Sequence, residues 1–480
     1  MRLDALLSAL EHLPATAGLE VEGLGDTTAA ELDLRAAAHD SRQVKPGDLF
    51  CCVSGRFHDG HDHAPAAVSA GAAALLVERR LGLGVPELVV PDVRRVMGPI
   101  ASVLAGDPSS TLDVIGITGT NGKTTTTHLL AAILNRAGRN CGVIGTLSGV
   151  RTTPEAPELQ DLLGAFLAEG RRSVAMEVSS HALDQHRVDG VHFRVAVFTN
   201  LSRDHLDHHR DMASYFHAKA ALFEPDRCEQ AVLCTDDPHG RLLRDAALVP
   251  STGFSIDDAE DLVITAAGSS FRWRGVPVSI ALPGRFNVLN ALAAATVADL
   301  LGVPHDVIAS GLADVKHIPG RFEIVDAGQP FLAAVDFAHT PDGLDNLLGA
   351  ARELAGSGRV VVVFGAGGDR DPSKRPEMGE AVARWADVVF LTTDNPRHED
   401  PAAIMDAVRR GLREHPNVTV EPDRARAIEL AVAETRPGDV VLVAGKGHET
   451  TQTVGDVVTP FVDRDVLSAA LVARAERGGW

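Results

Sequence analysis

The chain has 480 residues and a mass of 50.6 kDa, with 45% apolar and 23% charged residues, which excludes a mostly disordered or fibrous protein. Lys and Arg number 45 against 65 Asp and Glu, so the formal charge is 45 − 65 = −20. A chain this acidic is no general binder of nucleic acid or anionic membrane, and a polyanionic ligand has to be held by local basic and backbone donors. At roughly 150 residues per domain the length predicts about three domains. Residues 1–13 place Asp4 and Glu11 inside an apolar stretch and read as an amphipathic helix, not a secretion signal. No apolar run approaches ~18 residues, so no membrane insertion is expected. Cys51, Cys52, Cys141, Cys228 and Cys234 are odd in number and lack C-x-x-C spacing. They read as reduced thiols of a cytoplasmic protein without a structural zinc site.

Along the chain, turn-rich stretches at Gly106–Ser110 and Lys316–Gly320 divide the sequence. The expected domains are 1–106, 107–318 and 319–480. The first mixes helices with short strands at Leu49–Val53, Ala73–Val77 and Glu87–Val90. The second alternates helices with apolar strands at Val114–Ile117, Gly142–Ile144, Ser173–Glu177, Val195–Thr199 and Ala231–Cys234. Strands apolar on both faces belong in a parallel sheet covered by helices on either side. Val263–Ile280 breaks this alternation and is expected to form an antiparallel hairpin. The third segment alternates again, at Val360–Phe364, Val388–Leu391, Val418–Val420 and Val440–Val443, and reads as a smaller Rossmann-like α/β domain.

The strongest local signal runs from Val114 to Thr127, where an apolar strand enters a Gly-rich turn and a helix begins at Lys123. Backbone N–H groups and the dipole at that helix start suit a phosphate. Lys123 is placed to reach the terminal phosphates and the Thr124 hydroxyl to ligate Mg²⁺. Ile117 breaks the strict G-x-x-x-x-G-K-[ST] pattern, leaving G-x-x-G-x-x-G-K-T from Gly116 to Thr124. Such a loop specifies a nucleotide and leaves the reaction open among kinases, GTPases, helicases and ligases.

Past the loop, further motifs follow in order: Met176-Glu-Val-Ser-Ser-His181, Asn200-Leu-Ser-Arg-Asp-His-Leu-Asp207, His217-Ala-Lys-Ala220, Gly284-Arg-Phe-Asn-Val-Leu-Asn290, Asp336-Phe-Ala-His-Thr-Pro-Asp342 and Gly445-Lys-Gly-His-Glu449. Together with Gly119–Thr124 and Asp40-Ser-Arg42 they resemble the Mur ligases of bacterial cell-wall synthesis. Within that family the chain is similar to the members that add the third amino acid to UDP-N-acetylmuramoyl-L-alanyl-D-glutamate. The resemblance implies an N-terminal UDP-binding α/β domain, a central P-loop ATPase with a parallel sheet, and a C-terminal Rossmann-like domain. It also implies an ATP-dependent amide ligase: the free carboxylate of the D-Glu residue is phosphorylated, and an incoming amine displaces phosphate from the acyl phosphate.

The resemblance also assigns residues. Gly119, Thr120, Asn121, Gly122, Lys123, Thr124, Thr125, Asn287, Arg321, Asp336 and His339 are expected at ATP, with Asp336 on the ribose. Thr124 and Glu177 are expected at Mg²⁺ and His205 at a second Mg²⁺, with Lys219 a further Mg²⁺ ligand as its carbamate; Lys123, Glu177, His205 and Lys219 form the catalytic set. Glu177 ends an apolar strand, where a carboxylate wants a cation. The run Arg203–His209 invites a zinc reading, but the resemblance assigns only His205, leaving His208 and His209 as ordinary loop histidines. Lys219, on its own, reads as an exposed helical lysine. The resemblance makes it a CO2-derived carbamate, which needs a neutral amine. His39, Ser41, Thr152, Thr153, Ser179, Gln185 and Arg187, with the Gly55–Gly60 turn, are expected at the UDP-sugar peptide.

Substrate choice rests on Asp394-Asn-Pro-Arg397, which in this family accompanies meso-diaminopimelate. Its distal carboxylate, absent from L-lysine, offers Arg397 a bidentate partner. Arg370, Asp394, Asn395, Pro396, Arg397, Gly445 and Glu449 form the expected amino-acid site, with Glu449 on the distal ammonium. The expected partners are therefore small molecules only, and the protein a monomer. The alternatives are the same ligase with L-lysine or another diamino acid, a folylpolyglutamate-type ligase, a plain kinase, and a non-catalytic nucleotide-binding relative. Asp40–Arg42 and Asp394–Arg397 weigh against the second, and the joint presence of Lys123, Glu177, His205 and Lys219 against the last.

Overall fold

The computed structural model describes all residues except 12, 14, 15, 25–27, 56, 57, 479 and 480. The amphipathic N-terminal segment forms the helix Leu3–Leu10, whose Leu3, Leu6 and Leu10 are buried at i, i+3 and i+7. They pack on a five-stranded sheet in the order Glu20–Glu22, Glu87–Val89, Ala74–Val77, Leu49–Cys51, Ala37–Ala38, with only the first strand antiparallel.

The central sheet has six parallel strands in the order Ser251–Phe254, Ala231–Cys234, Val195–Phe198, Asp113–Thr118, Ser173–Glu177, Cys141–Ile144. Both faces are apolar because helices cover both: Lys123–Arg136 and Arg285–Leu300 bury one, Ala156–Ala168 and its neighbours the other. The strand Asp113–Thr118 lies centrally, so the Gly-rich turn after it opens at the carboxyl edge of the sheet, where α/β folds bind ligands. The expected hairpin at 263–280 is instead a three-stranded antiparallel meander, Glu260–Thr265, Gly268–Trp273 and Val276–Ile280. The extra strand pairs through Glu260, Val263, Ile264 and Thr265. Its alternating exposure shows one face in solvent, a pattern weaker than the continuous apolar runs around it.

The third sheet runs Glu323–Ile324, Leu332–Asp336, Val440–Ala444, Val360–Phe364, Val388–Leu391, Val418–Val420, parallel except for its short first strand. An exposed hairpin, Thr451–Val454 with Val457–Pro460, stands off it. Arg424 and Asp463, neither with any exposed side chain, pair through two 2.7 Å bonds beneath the carboxyl ends of these strands. Arg424 also donates to the carbonyls of Thr393 and Ala444. Those two residues immediately precede Asp394 and Gly445.

Candidate active site

The carboxyl edges of the second and third sheets face one another across a cavity of about 780 Å³. Contacts between the two sides close it. Arg203 pairs with Glu377 and donates to Ser373 Oγ at 2.7 Å. Lys374 Nζ meets Asp204 Oδ1 at 3.1 Å, both side chains 8% exposed. Asn121 Nδ2 donates to Asp342 Oδ2 at 2.9 Å.

On the central side the helix Lys123–Arg136 begins at Gly122, whose φ of +88° and lack of a Cβ fit the turn. A methyl there would lie 2.3 Å from Asn290 Oδ1. Buried Asn290 therefore backs the loop, while Asn287, also buried, bonds the Pro283 carbonyl through Nδ2. Lys123 Nζ donates to the Gly119 and Thr120 carbonyls at 2.8 Å each, and burial pushes its pKa down. The Thr124 hydroxyl lies 3.0 Å from both oxygens of Glu177, which also accept from Thr146 N and Thr146 Oγ1. Glu177 is 1% exposed and, among the described residues, has no cationic side chain in ion-pair contact. A buried carboxylate beside a hydroxyl, satisfied only by neutral donors, is a hard-oxygen pair suited to a divalent cation. No cluster of three or more His, Cys, Asp or Glu is arranged to hold a metal among the described residues.

Lys219 is no exposed helical lysine. It is 1% exposed on the helix Met212–Ala220, its Nζ 2.8 Å from the Gly119 carbonyl and 4.6 Å from the Tyr215 ring centroid. Burial, then the charge of Lys123, push its pKa well below the usual lysine range, with Asp204 opposing. His205 has 37% of its side chain exposed toward the cavity, yet the surrounding walls desolvate it and favour the neutral ring over the pull of Asp204. His208 and His209 are not plain loop residues. His208 stacks on His181 at 4.1 Å and meets Asp184, while His209 is buried against Ser180 Oγ at 2.9 Å.

From the other side, Arg321 Nη2 reaches Thr124 Oγ1 at 3.1 Å while its guanidinium lies over the Phe337 ring at 4.6 Å. A phenyl ring, with no hydroxyl, suffices for that cation–π contact. Each Asp336 oxygen accepts one backbone N–H, from Phe322 and Ala338. His339 turns Nδ1 to the Phe337 carbonyl. All three line the cavity.

Of the residues expected at the sugar peptide, Thr152, Thr153, Ser179 and Arg187 line the cavity and Gln185 stands behind Arg187 as an acceptor at 2.6 Å. Arg187 is 15% exposed, held by Glu155 and the Thr153 carbonyl. His39 and Ser41 do not line it; beside them Arg42 folds back on Asp40 and holds that carboxyl down at about 2. Residues 56 and 57 of the Gly55–Gly60 turn lie outside the described residues. At the far end Arg370, Asp394, Asn395, Arg397, Gly445 and Glu449 line the cavity, but Pro396 is buried away from it. Gly445 has φ +115°, and a Cβ there would meet Asp394 Oδ2 at 2.5 Å. Arg397 takes φ +50° and donates to the Gly368 carbonyl at 2.6 Å. Of the residues that close the cavity, Arg203, Asp204, Ser373, Lys374, Glu377 and Asp342 carry no assignment from the sequence, although Arg203 and Asp204 immediately precede His205 in its motif.

This arrangement, a phosphate-type loop facing a polar amino-acid-sized end across two α/β units, defines a nucleotide-dependent enzyme with a site shared between domains. Three family profiles match: the Mur ligase family, catalytic domain over residues 35–102, the Mur ligase middle domain over 117–298, and the Mur ligase, glutamate ligase domain over 320–447. Similar proteins include UDP-N-acetylmuramoyl-L-alanyl-D-glutamate–2,6-diaminopimelate ligases of Geobacillus kaustophilus (strain HTA426) and Streptomyces avermitilis. They are 44% and 43% identical, over 98% and 96% of this chain and 99% and 97% of theirs. A solved structure of a ligase of that name is 32% identical with TM-score 0.66, covering 94% of this chain and 97% of its own. MurF from Acinetobacter baumannii shares the fold at 20% identity and TM-score 0.69, with 98% of each chain covered. The chain belongs to the Mur ligase family.

Proposed function

We propose that this protein is the ATP-dependent, ADP-forming ligase that joins meso-diaminopimelate to UDP-N-acetylmuramoyl-L-alanyl-D-glutamate in peptidoglycan precursor synthesis. The observation that carries the reading is one cavity holding both the Lys123–Thr124–Glu177 corner and the Asp394–Arg397 and Glu449 end. Residues 1–106 take the uridine end, 107–318 the ATP, and 319–480 the amino acid. Five buried, free cysteines support the cytoplasmic setting.

In this reading Lys123 and the N–H groups at the helix start hold the ATP phosphates, and Arg321 approaches from the opposite domain. The D-Glu carboxylate attacks the γ-phosphorus, and the bond to the ADP oxygen breaks. The amine then attacks the acyl carbon, loses a proton, and inorganic phosphate leaves. Thr124 and Glu177 would hold one Mg²⁺, and neutral His205 a second, with carbamylated Lys219 a further ligand. When bound, Mg²⁺ offsets phosphate charge during transfer. Carbamylation needs the neutral amine that burial of Lys219 favours: its Nζ attacks CO2 and loses a proton, leaving a carbamate anion where a neutral amine stood. Arg397 and Arg370 meet substrate carboxylates, and Glu449 the distal ammonium.

The test incubates the protein with UDP-N-acetylmuramoyl-L-Ala-D-Glu, ATP and Mg²⁺, with meso-diaminopimelate, L-lysine or no amine, and reads products by mass spectrometry. A tripeptide product with diaminopimelate alone is expected. A lysine product would keep the ligase and remove Arg397 as selector. No product in any tube would refute the reading.

A further inference from the structure

Beneath the amino-acid end lies a lysine that the assignments above leave without a role. Lys446 has no exposed side-chain surface, yet it sits one residue after Gly445 and three before Glu449. Its Nζ donates to Glu449 Oε2 at 2.9 Å, to the Thr451 carbonyl at 2.7 Å and to Asn395 Oδ1 at 3.3 Å. Asn395 closes the ring: its Nδ2 donates to the same Glu449 Oε2 at 2.6 Å, and its Oδ1 accepts from Thr453 N at 3.0 Å. The hairpin that supplies Thr451 and Thr453 also grips Arg397, whose N–H donates to the Thr453 carbonyl and whose carbonyl accepts from Gly455 N. One buried ammonium thus ties together the Asp394–Arg397 loop, the Gly445–Glu449 loop and the hairpin.

The geometry points to Lys446 as a positioning residue for amino-acid recognition. This rests on the functional reading above. Two donors fill Glu449 Oε2, which fixes the carboxylate plane and leaves Oε1 as the oxygen free for a substrate ammonium. The Arg397 guanidinium is held separately, by the Gly368 carbonyl at 2.6 Å. Lys446 itself does not line the cavity, so its effect passes through Glu449 and Asn395.

The test compares wild type with Lys446→Met, Glu449→Gln and the double variant. For Lys446→Met, the KM for diaminopimelate is expected to rise about tenfold or more, the loss of a charge-assisted contact. The KM values for ATP and the UDP-dipeptide should stay within about twofold, a split that a general packing defect does not give. In the double variant the two effects should fall well short of additive, because both act on one carboxylate. If Lys446→Met fails to bind ATP, Lys446→Gln, which keeps a donor for the Thr451 carbonyl, takes its place. Equal losses toward all three substrates, an unchanged KM for diaminopimelate, or full additivity would overturn the inference while leaving the ligase intact. A wild-type protein without diaminopimelate-dependent turnover would instead refute the functional reading on which it stands.

Discussion

Replacing Arg424 by Met should destabilise the C-terminal unit more than any surface change in it. The substitution keeps an aliphatic stem but removes two 2.7 Å bonds to Asp463 and the donors to the Thr393 and Ala444 carbonyls. Burial works against the guanidinium's charge, and Asp463, aided by Asp394 and Glu449, more than offsets it. Removing one partner leaves a carboxylate with no exposed surface and no counter-ion, which costs about 3–5 kcal/mol. For a unit of roughly 160 residues, each kcal/mol lowers Tm by about 2–4 °C, so a fall of roughly 6–20 °C is expected. Scanning calorimetry of the full chain reads it as a shift of one transition. Arg424→Met with Asp463→Leu should recover much of the loss, because the desolvated charge goes with its partner. A single-variant loss below about 1 kcal/mol, or a double variant as unstable as the two losses summed, would refute the reasoning.

Lys219→Ala should abolish turnover, by about a hundredfold or more, while equilibrium nucleotide binding persists; retained turnover would remove Lys219 from the reaction. Arg397→Lys keeps charge but loses the fork, so kcat/KM for diaminopimelate should fall at least about tenfold with ATP affinity unchanged; equal losses would show Arg397 is no selector. Arg203→Ala deletes the contacts to Glu377 and Ser373, and small-angle scattering of the ligand-free variant should show a larger radius of gyration than wild type. His181 and His448 are held at about 4, chiefly by burial, aided by neighbouring rings and cations. Unfolded, they titrate near 6.5, so the unfolded chain binds more protons as pH drops from about 6.5 toward 4. Tm should therefore fall over that window, and a Tm that rises between pH 7 and pH 5 would contradict it.

Strands such as Ser173–Glu177, Ala231–Cys234 and Val360–Phe364 are legible in the sequence because both faces are covered and every residue is apolar or terminal. Leu332–Asp336 is less legible because two of its five residues are alanines, which carry little strand preference, and it ends in a carboxylate. Ser251–Phe254 and the hairpin at Thr451–Pro460 are half-polar or exposed, so burial writes no pattern into them. The phosphate loop is legible as chemistry, and a resemblance supplies the rest of the site list. What neither conveys is orientation. Nothing in Tyr215–Lys219 says that both side chains turn inward, nor that Pro396 points away while its neighbours face the cavity. Lys374 and Asp204 stand 170 residues apart, and their meeting depends on how two separately built sheets face each other.

That facing has a consequence for anyone who wants to block this protein. Arg321 crosses from one unit to touch Thr124 in the other, so neither unit alone carries both walls of that part of the cavity. A fragment screen run on an isolated domain would sample half a mould. A compound spanning Thr124 and Arg321 would act as a splint, holding the two halves shut, and its grip would register as rigidity of the whole chain before it registered as lost product.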